Sequence, residues 1–392
     1  MNLNSNIYLD YQSTTPVDPK VIESMSPYLN IYFANPHSTE HTMGKFVSDN
    51  IEKSRIKVAR LINSDPKEII FTSGATESNN LAIKGAARFY KNMNKNEIIT
   101  TNSEHKCVLE SFNSLIKEGF KVVILPVEND GILDVTKLSN AISNRTILVS
   151  VMALNNEIGV IQPLEKIGKI CKLNKVLFHS DCAQAGGKIE LDVNKFNLDL
   201  LSLSSHKMYG PKGIGCLFVR RRPRVRLDPL FSGGFQEKGL RSGTLPSHLC
   251  IGFGEAASLA NKMMSSDNSR INYLSDYFLN YLSKKNIVYK INGNKNLRWQ
   301  GNINIQIKGI NASKLIENIS NVSFSLGSAC SDNAIEPSYV LKSLNLTKKE
   351  AESSVRISLG RMTTEEEIEE ACIRISSVIH KLYKQKDQNS YD

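Results

Sequence analysis

The chain has no apolar run approaching the ~18 residues that a membrane-spanning helix needs, and its opening Met1-Asn2-Leu3-Asn4 begins no secretory signal. These absences predict a soluble protein of the cytoplasm, or of the mitochondrial matrix or another organelle if a presequence has been removed. None of its seven cysteines falls in a Cys-x-x-Cys pair, which argues against a zinc site or a disulfide framework. The odd count predicts free thiols in a reducing compartment. A Gly-Lys-Ser/Thr Walker loop is also missing. The net charge of +10 is mostly diffuse, and its one dense cluster, Arg220-Arg221-Arg222-Pro223-Arg224-Val225-Arg226, has no interleaved aromatic residues for base stacking. That cluster suits an acidic protein partner better than a nucleic acid, or is simply a solvated strand edge.

What the chain does have is a long alternation of strand and helix patterns. Its 392 residues are enough for a large domain plus a smaller one. Strands are predicted over 69–72, 98–101, 122–126, 147–152 and 176–180, with helices over 75–90, 107–117, 135–142 and 164–173 between them. Such βαβ alternation implies an α/β fold with a mostly parallel sheet between two helical layers. Ligands of such sheets bind beyond the carboxyl ends of the strands. A strand over 214–220 and a long helix over 247–282 follow. Strands over 302–307, 322–325 and 355–358 and a terminal helix over 364–385 make a smaller α+β unit. The expected division is a large domain over 16–262, with 1–15 and 263–392 forming the small one.

The stretch from Leu201 to Gly213 carries an apolar strand through Ser204, His206 and Lys207 into a Pro/Gly turn. A lysine forms an imine only as the free amine, so a shielded Lys207 is a candidate Schiff-base residue. Ser204 and His206 beside it suit a phosphate, and pyridoxal phosphate brings both an aldehyde and a phosphate. A surface lysine at a strand end is the plain alternative. Other strand ends offer compatible groups. Ser73-Gly74-Ala75-Thr76 opens a helix whose amides suit an anion, or is an ordinary helix start. His105 can stack on a planar ring and move protons, or be polar surface. Asp181 can pair with a pyridine nitrogen or cap a helix, with Gln184 three residues on, and Asn156 closes the strand before it. The loop from Ser232 to Thr244 is glycine-rich and suits close approach to a ligand or subunit. Cys330 sits among small residues in Gly-Ser-Ala-Cys-Ser, where a mobile reactive thiol fits better than a core one. Arg356, polar within a strand pattern, suits a carboxylate or a structural ion pair.

Taken together, Ser-Gly-Ala-Thr-Glu-Ser, His105, Asn-Asn-Glu-Ile-Gly-Val, Asp-x-x-Gln, Ser-x-His-Lys, Arg-Ser-Gly-Thr and Gly-Ser-Ala-Cys resemble the cysteine desulfurases of iron-sulfur cluster assembly. These are class V aminotransferase-like, fold type I pyridoxal-phosphate enzymes, and the match runs in order from about residue 7 to 375. The resemblance implies that Lys207 forms the imine, that Ala75, Thr76, Ser204 and His206 surround the phosphate, and that Asp181 meets the pyridine nitrogen. Gln184 and Asn156 would contact the ring-oxygen side, with His105 stacked on the ring. Arg356, with Asn156 nearby, would hold the carboxylate of the substrate, L-cysteine. Thr244 would reach the phosphate of a neighbouring subunit, implying a homodimer. Cys330 would accept the sulfur as a persulfide, with alanine released, and could transiently ligate an iron-sulfur cluster. The implied partners are an iron-sulfur scaffold protein and acidic proteins of the frataxin kind docking at Arg221, Arg224 and Arg226, with no membrane and no direct nucleic-acid contact.

Three departures from the family pattern stand out. Cys182 replaces a small alanine after Asp181, the residues after Cys330 read Ser-Asp-Asn-Ala rather than Thr-Ser-Ala-Ser, and the chain ends soon after Leu382 without a Trp-containing tail. Rival readings are a selenocysteine lyase, the second desulfurase group, a transaminase, or an inactive scaffold subunit. The Gly-Ser-Ala-Cys context with Glu336-Pro337-Ser338-Tyr339 favours the first desulfurase group, and the intact Lys207, Asp181 and His105 argue against an inactive subunit.

Overall fold

The structure, a computed structural model, describes residues 6–91, 95–326 and 338–388. An N-terminal arm with β1 (Ile7–Tyr8) leads to α1 (Pro19–Met25), α2 (Pro27–Asn30) and α3 (Thr42–Leu61). Helix α1 starts where sequence chemistry says it should: Asp18 accepts from the Lys20 N–H at 3.0 Å, and Pro19 supplies a fixed φ where no N–H is needed.

Then come β2 (Ile69–Thr72), α4 (Ala75–Lys91), β3 (Glu97–Thr101), α5 (Lys106–Ile116) and β4 (Lys121–Leu125). They are followed by α6 (Val135–Ala141), β5 (Thr146–Ser150), α7 (Leu164–Leu173), β6 (Leu177–Asp181), β7 (Leu200–Ser204) and β8 (Gly215–Val219). The strands form a seven-stranded sheet ordered β2-β8-β7-β6-β5-β3-β4. Strand β8 runs antiparallel to both its neighbours, and the remaining pairings are parallel. Alternation along each strand divides the apolar side chains between two cores. Ile99, Val149, Phe178, Leu201 and Phe218 face one layer, and Ile98, Leu148, Leu200 and Leu217 face the other. Burial on both faces is what turns these strands into nearly continuous apolar runs.

Helix α8 (Ser247–Lys284) spans the expected boundary at 262/263 as one continuous element, packing on α3 and then on the small unit. The small unit contains β9 (Tyr289–Ile291), β10 (Asn302–Ile307), α9 (Ala312–Glu317), β11 (Val322–Ser323), β12 (Ser325–Leu326), α10 (Tyr339–Ser343), α11 (Lys348–Glu352), β13 (Ser354–Ser358) and α12 (Glu365–Gln388). Its antiparallel sheet runs β12-β13-β10-β9. The single strand expected over 322–325 is two: β11 pairs with β1 of the arm, and β12 with β13. The chain changes partner at Phe324, which turns toward the cavity between the two units.

This topology delivers the carboxyl ends of β2, β3, β5, β6 and β7 to one edge of the large sheet. The reversed β8 brings its first residue, Gly215, to the same edge. A Cβ on Gly215 would lie 2.7 Å from the Gly74 Cα, so only glycine lets β8 pack beneath the turn that follows β2.

Candidate active site

A cavity of about 850 Å³ opens at that edge, and Thr76, His105, Asn156, Asp181, Gln184, Ser204, His206, Lys207 and Arg356 all line it, as does Ala75. Residues separated by up to 281 positions in the chain, from Ala75 to Arg356, thus meet at one cavity. Thr244 does not line this cavity. Cys330 lies outside the described residues, which resume at Ser338.

Lys207 follows β7 in a short helical turn. Its Nζ donates to the main-chain carbonyls of Gln12 (2.6 Å) and Ser13 (2.7 Å). Burial, reinforced by the nearby Arg356 guanidinium and opposed by Asp10 and Asp181, lowers its amine to about 8. A sizeable free-amine fraction near neutral pH is what imine chemistry requires. Beside it, burial and then Lys207, Lys212 and Lys188 hold His206 down to about 4, so its ring is neutral and its Nδ1 meets Thr14 Oγ1 at 3.0 Å.

Across the cavity α4 begins immediately after Gly74, whose φ of +151° suits glycine. The Ser73 N–H donates to Glu77 Oε2 at 2.8 Å, and Glu77 is held in turn by Arg241 at 3.0 Å. These contacts lock the turn so that the helix N-terminus and Thr76 face the cavity, an arrangement suited to a phosphate.

Asp181 ends β6. Its Oδ2 accepts from Asn79 Nδ2 (2.7 Å) and its Oδ1 from the Ala183 N–H (2.9 Å). Gln184 is fixed from both sides: Lys188 Nζ donates to its Oε1 at 3.0 Å, and its Nε2 donates to the Gln12 carbonyl at 2.8 Å. Asn155 staples the turn after β5 by donating to the Ser103 carbonyl and accepting from the Glu157 and Ile158 N–H groups. The next residue, Asn156, is thereby presented to the cavity with a buried Oδ1 that has no partner among the described residues. Arg356 on β13 is oriented by Asp10 (2.8 Å), Ser13, Ser325 and the Asn156 carbonyl, while its buried Nε has no partner among the described residues.

Several residues of this site gave no signal in the sequence. The arm, assigned over 1–15 to the small domain with no site residue in it, supplies Asp10, Gln12 and Ser13 to Lys207 and Arg356. Asn79 faces Asp181 because it lies one helical turn beyond Ala75, and a helical projection of α4 is the one signal that could have found it. Cys107 and Glu104 flank His105. Cys182, the departure noted beside Asp181, is fully buried in the core and is not among the lining residues, so it leaves the cavity wall unchanged.

The sequence pattern of the class-V aminotransferases matches residues 7–370. The chain belongs to the class-V aminotransferase family. Within it the chain falls among the cysteine desulfurases. It is 53% identical over 381 residues to "Cysteine desulfurase IscS" of Rickettsia felis, an alignment covering 97% of this chain and 93% of that protein. Among solved structures, a protein described as NifS-like superposes with a TM-score of 0.89 at 34% identity, over 96% of this chain and 99% of the other. One described as SspA in complex with cysteine superposes with a TM-score of 0.81 at 36% identity, over 91% and 99%.

Members of this family use pyridoxal phosphate, and the cavity fits it. The helix start at Ala75 and Thr76 with Ser204 and His206 suits the phosphate, Lys207 the aldehyde and Asp181 the ring nitrogen. The unpartnered Asn156 Oδ1 is a buried polar atom of the kind a ligand completes.

Proposed function

We propose that this cavity removes sulfur from L-cysteine, with Lys207, Asp181, His105 and Arg356 in the roles their positions suggest. The chain is a pyridoxal-phosphate-dependent cysteine desulfurase, and L-cysteine is its substrate. The observation that carries the assignment of residues is the convergence of a lysine amine lowered to about 8 and a helix N-terminus on one cavity. Asp181 and the Arg356 guanidinium complete that wall.

Bound there, pyridoxal phosphate supplies an aldehyde for exchange with the substrate amine and a ring that holds the electrons left at Cα. Asp181, held by Asn79, keeps a carboxylate at the ring nitrogen. Arg356 exchanges part of its contact with Asp10 and Ser13 for the substrate carboxylate, which fixes the Cα–H bond relative to Lys207 and His105. One of those two takes the Cα proton. The Cys330 thiolate then attacks the substrate sulfur: the Cβ–S bond breaks, an S–S bond forms, Cβ gains a proton, and a proton returns to Cα before release. Cysteine and the thiol become alanine and a persulfide, with atoms and electrons balanced.

Replacing Lys207 by Ala should abolish the imine absorption band and cysteine turnover together. Borohydride reduction of the wild type followed by peptide mapping should place the cofactor on Lys207. Cofactor recovered on any other lysine would overturn the assignment.

The persulfide is passed on to iron-sulfur cluster assembly and to other acceptors. Three features support a homodimer and an acidic partner. Thr244 stands away from its own cavity, α1 to α3 expose apolar side chains, and Arg221, Arg224 and Arg226 line a separate cleft of about 600 Å³ with Lys67, Arg220 and Lys238. A reducing compartment, cytoplasm or organelle matrix, suits the described cysteines, all of which are free thiols. Alkylation of protein extracted under non-reducing conditions should label every cysteine once the chain is unfolded, and a protected pair would contradict that placement.

A further inference from the structure

His105 performs two tasks at once. It caps α5, and its ring lines the cavity. The hydrogen bonds around it leave one consistent arrangement of protons. Asp181 Oδ2 is a carboxylate oxygen and only accepts, so the Asn79 atom 2.7 Å away is the amide nitrogen, and the flipped amide is excluded. That nitrogen carries two hydrogens, and the second points to Cys107 Sγ at 3.2 Å.

The backbone N–H of Cys107 can only donate, and it meets His105 Nδ1 at 3.2 Å. Nδ1 is therefore an acceptor and bears no proton. The 3.0 Å contact between Cys107 Sγ and the same Nδ1 is then made by the thiol hydrogen. Burial first, then Asp181, pushes the Cys107 thiol up to about 12, so the hydrogen is present throughout the working range. Each donor and acceptor in the row Asp181, Asn79, Cys107, His105 is oriented by the one before it.

We propose that Asn79 and Cys107 are positioning residues that hold His105 as the neutral Nε2–H tautomer, so that the ring offers its Nε2–H to the substrate. This rests on the functional reading above and deepens it. An imidazolium would put its Nδ1 hydrogen against the Cys107 N–H at the positive end of α5, so the helix opposes protonation. Burial also lowers the ring, as do Lys207 and Lys106, while Asp181 opposes them. Nε2 has no protein hydrogen-bond partner among the described residues, and its N–H is the one the ring offers to a ligand.

Nitrogen-15 NMR of histidine-labelled protein, with and without cofactor, tests this, using His105→Asn to assign the signal. The expected wild-type result is an unprotonated Nδ1 and a protonated Nε2 from pH 6 to 9. Cys107→Ala removes the closer donor to Nδ1 and leaves the backbone N–H at 3.2 Å as a weaker bias on the tautomer. It should produce a mixture of tautomers and lower kcat about fivefold, the effect of one hydrogen bond, with KM for cysteine and cofactor affinity little changed. Cys107→Ser keeps a donor and should restore the wild-type tautomer. A protonated Nδ1 in the wild type, or a Cys107→Ala protein with unaltered tautomer and pH profile, would overturn the proposal. Because the tautomer is read without turnover, a correct Nε2–H signal in a protein that makes no alanine would uphold this inference while contradicting the functional reading.

Discussion

Glu104 is fully buried beside His105, and its Oε1 accepts from the Met152 N–H at 2.9 Å and from Thr101 Oγ1 at 2.8 Å, while its Oε2 has no partner among the described residues. Burial pushes its carboxyl up from 4.5 to about 8, so the native state holds a proton that the unfolded chain has lost between those values. Its contribution to stability is therefore complete below about pH 4.5 and is lost as pH rises through 8, at up to about 1.4 kcal/mol per pH unit. Glu104→Gln keeps the Oε1 acceptor and removes the titration. Urea unfolding at pH 5.5 and pH 9 should show the variant gaining on the wild type as pH rises, and identical pH slopes for the two proteins would refute this. Side chains such as Lys207, Asp181, His105 and Arg356 were legible in the sequence because their chemistry stands out at strand ends. Asn79, Cys107 and Gln12 were not, because their roles arise from contacts with residues distant in the chain, as when Asn79 meets Asp181.

At the scale of elements, the βαβ order was legible because burial on both faces of the large sheet leaves apolar runs punctuated by turns. The pairing of the arm with β11 and the split at Phe324 were not, since a two-residue strand has no periodicity and takes its register from its partner. The same elements expose something a finished surface would cover. Leu29 is 61% exposed, Ile31 57% and Phe33 67%, with Met43 and Phe46 on α3 close by in sequence, and Phe235 in the loop leading to Thr244 is 92% exposed. Large apolar patches of this kind mark interfaces. The second copy proposed above is an occupant that would also account for Thr244 standing away from its own cavity. Sedimentation equilibrium at micromolar concentration should give the mass of two chains, and Leu29→Asp with Phe33→Asp should give one. A wild-type monomer with bound cofactor and full activity would contradict the dimer.

On the scale of the whole molecule, a large α/β layer and a small α+β unit meet at one cavity. Arg356 of the small unit reaches across to the Asn156 carbonyl of the large one. The described residues bring Ser325 and Ser338, which bracket the segment carrying Cys330, to the same region: Ser325 accepts from Arg356, and Ser338 donates to the buried Glu157. The basic cleft at Arg221, Arg224 and Arg226 belongs to the outer surface of the large unit, where charge acts on encounter with a partner rather than on the chemistry. Reversing those three charges should weaken sulfur transfer to acidic acceptor proteins, most at low salt, and leave sulfur release to a small thiol unchanged. Unchanged transfer to every acidic acceptor tested would remove the cleft from the account.

The central claim is that sulfur leaves L-cysteine by moving to Cys330. The most direct measurement is alanine formation in a single turnover without reductant, comparing wild type with Cys330→Ala. The account predicts that the wild type forms alanine in step with sulfane sulfur on the protein, while Cys330→Ala binds cofactor and cysteine with the same spectral change yet forms no alanine. Equal release of alanine and sulfide by both proteins would show that Cys330 is not the acceptor.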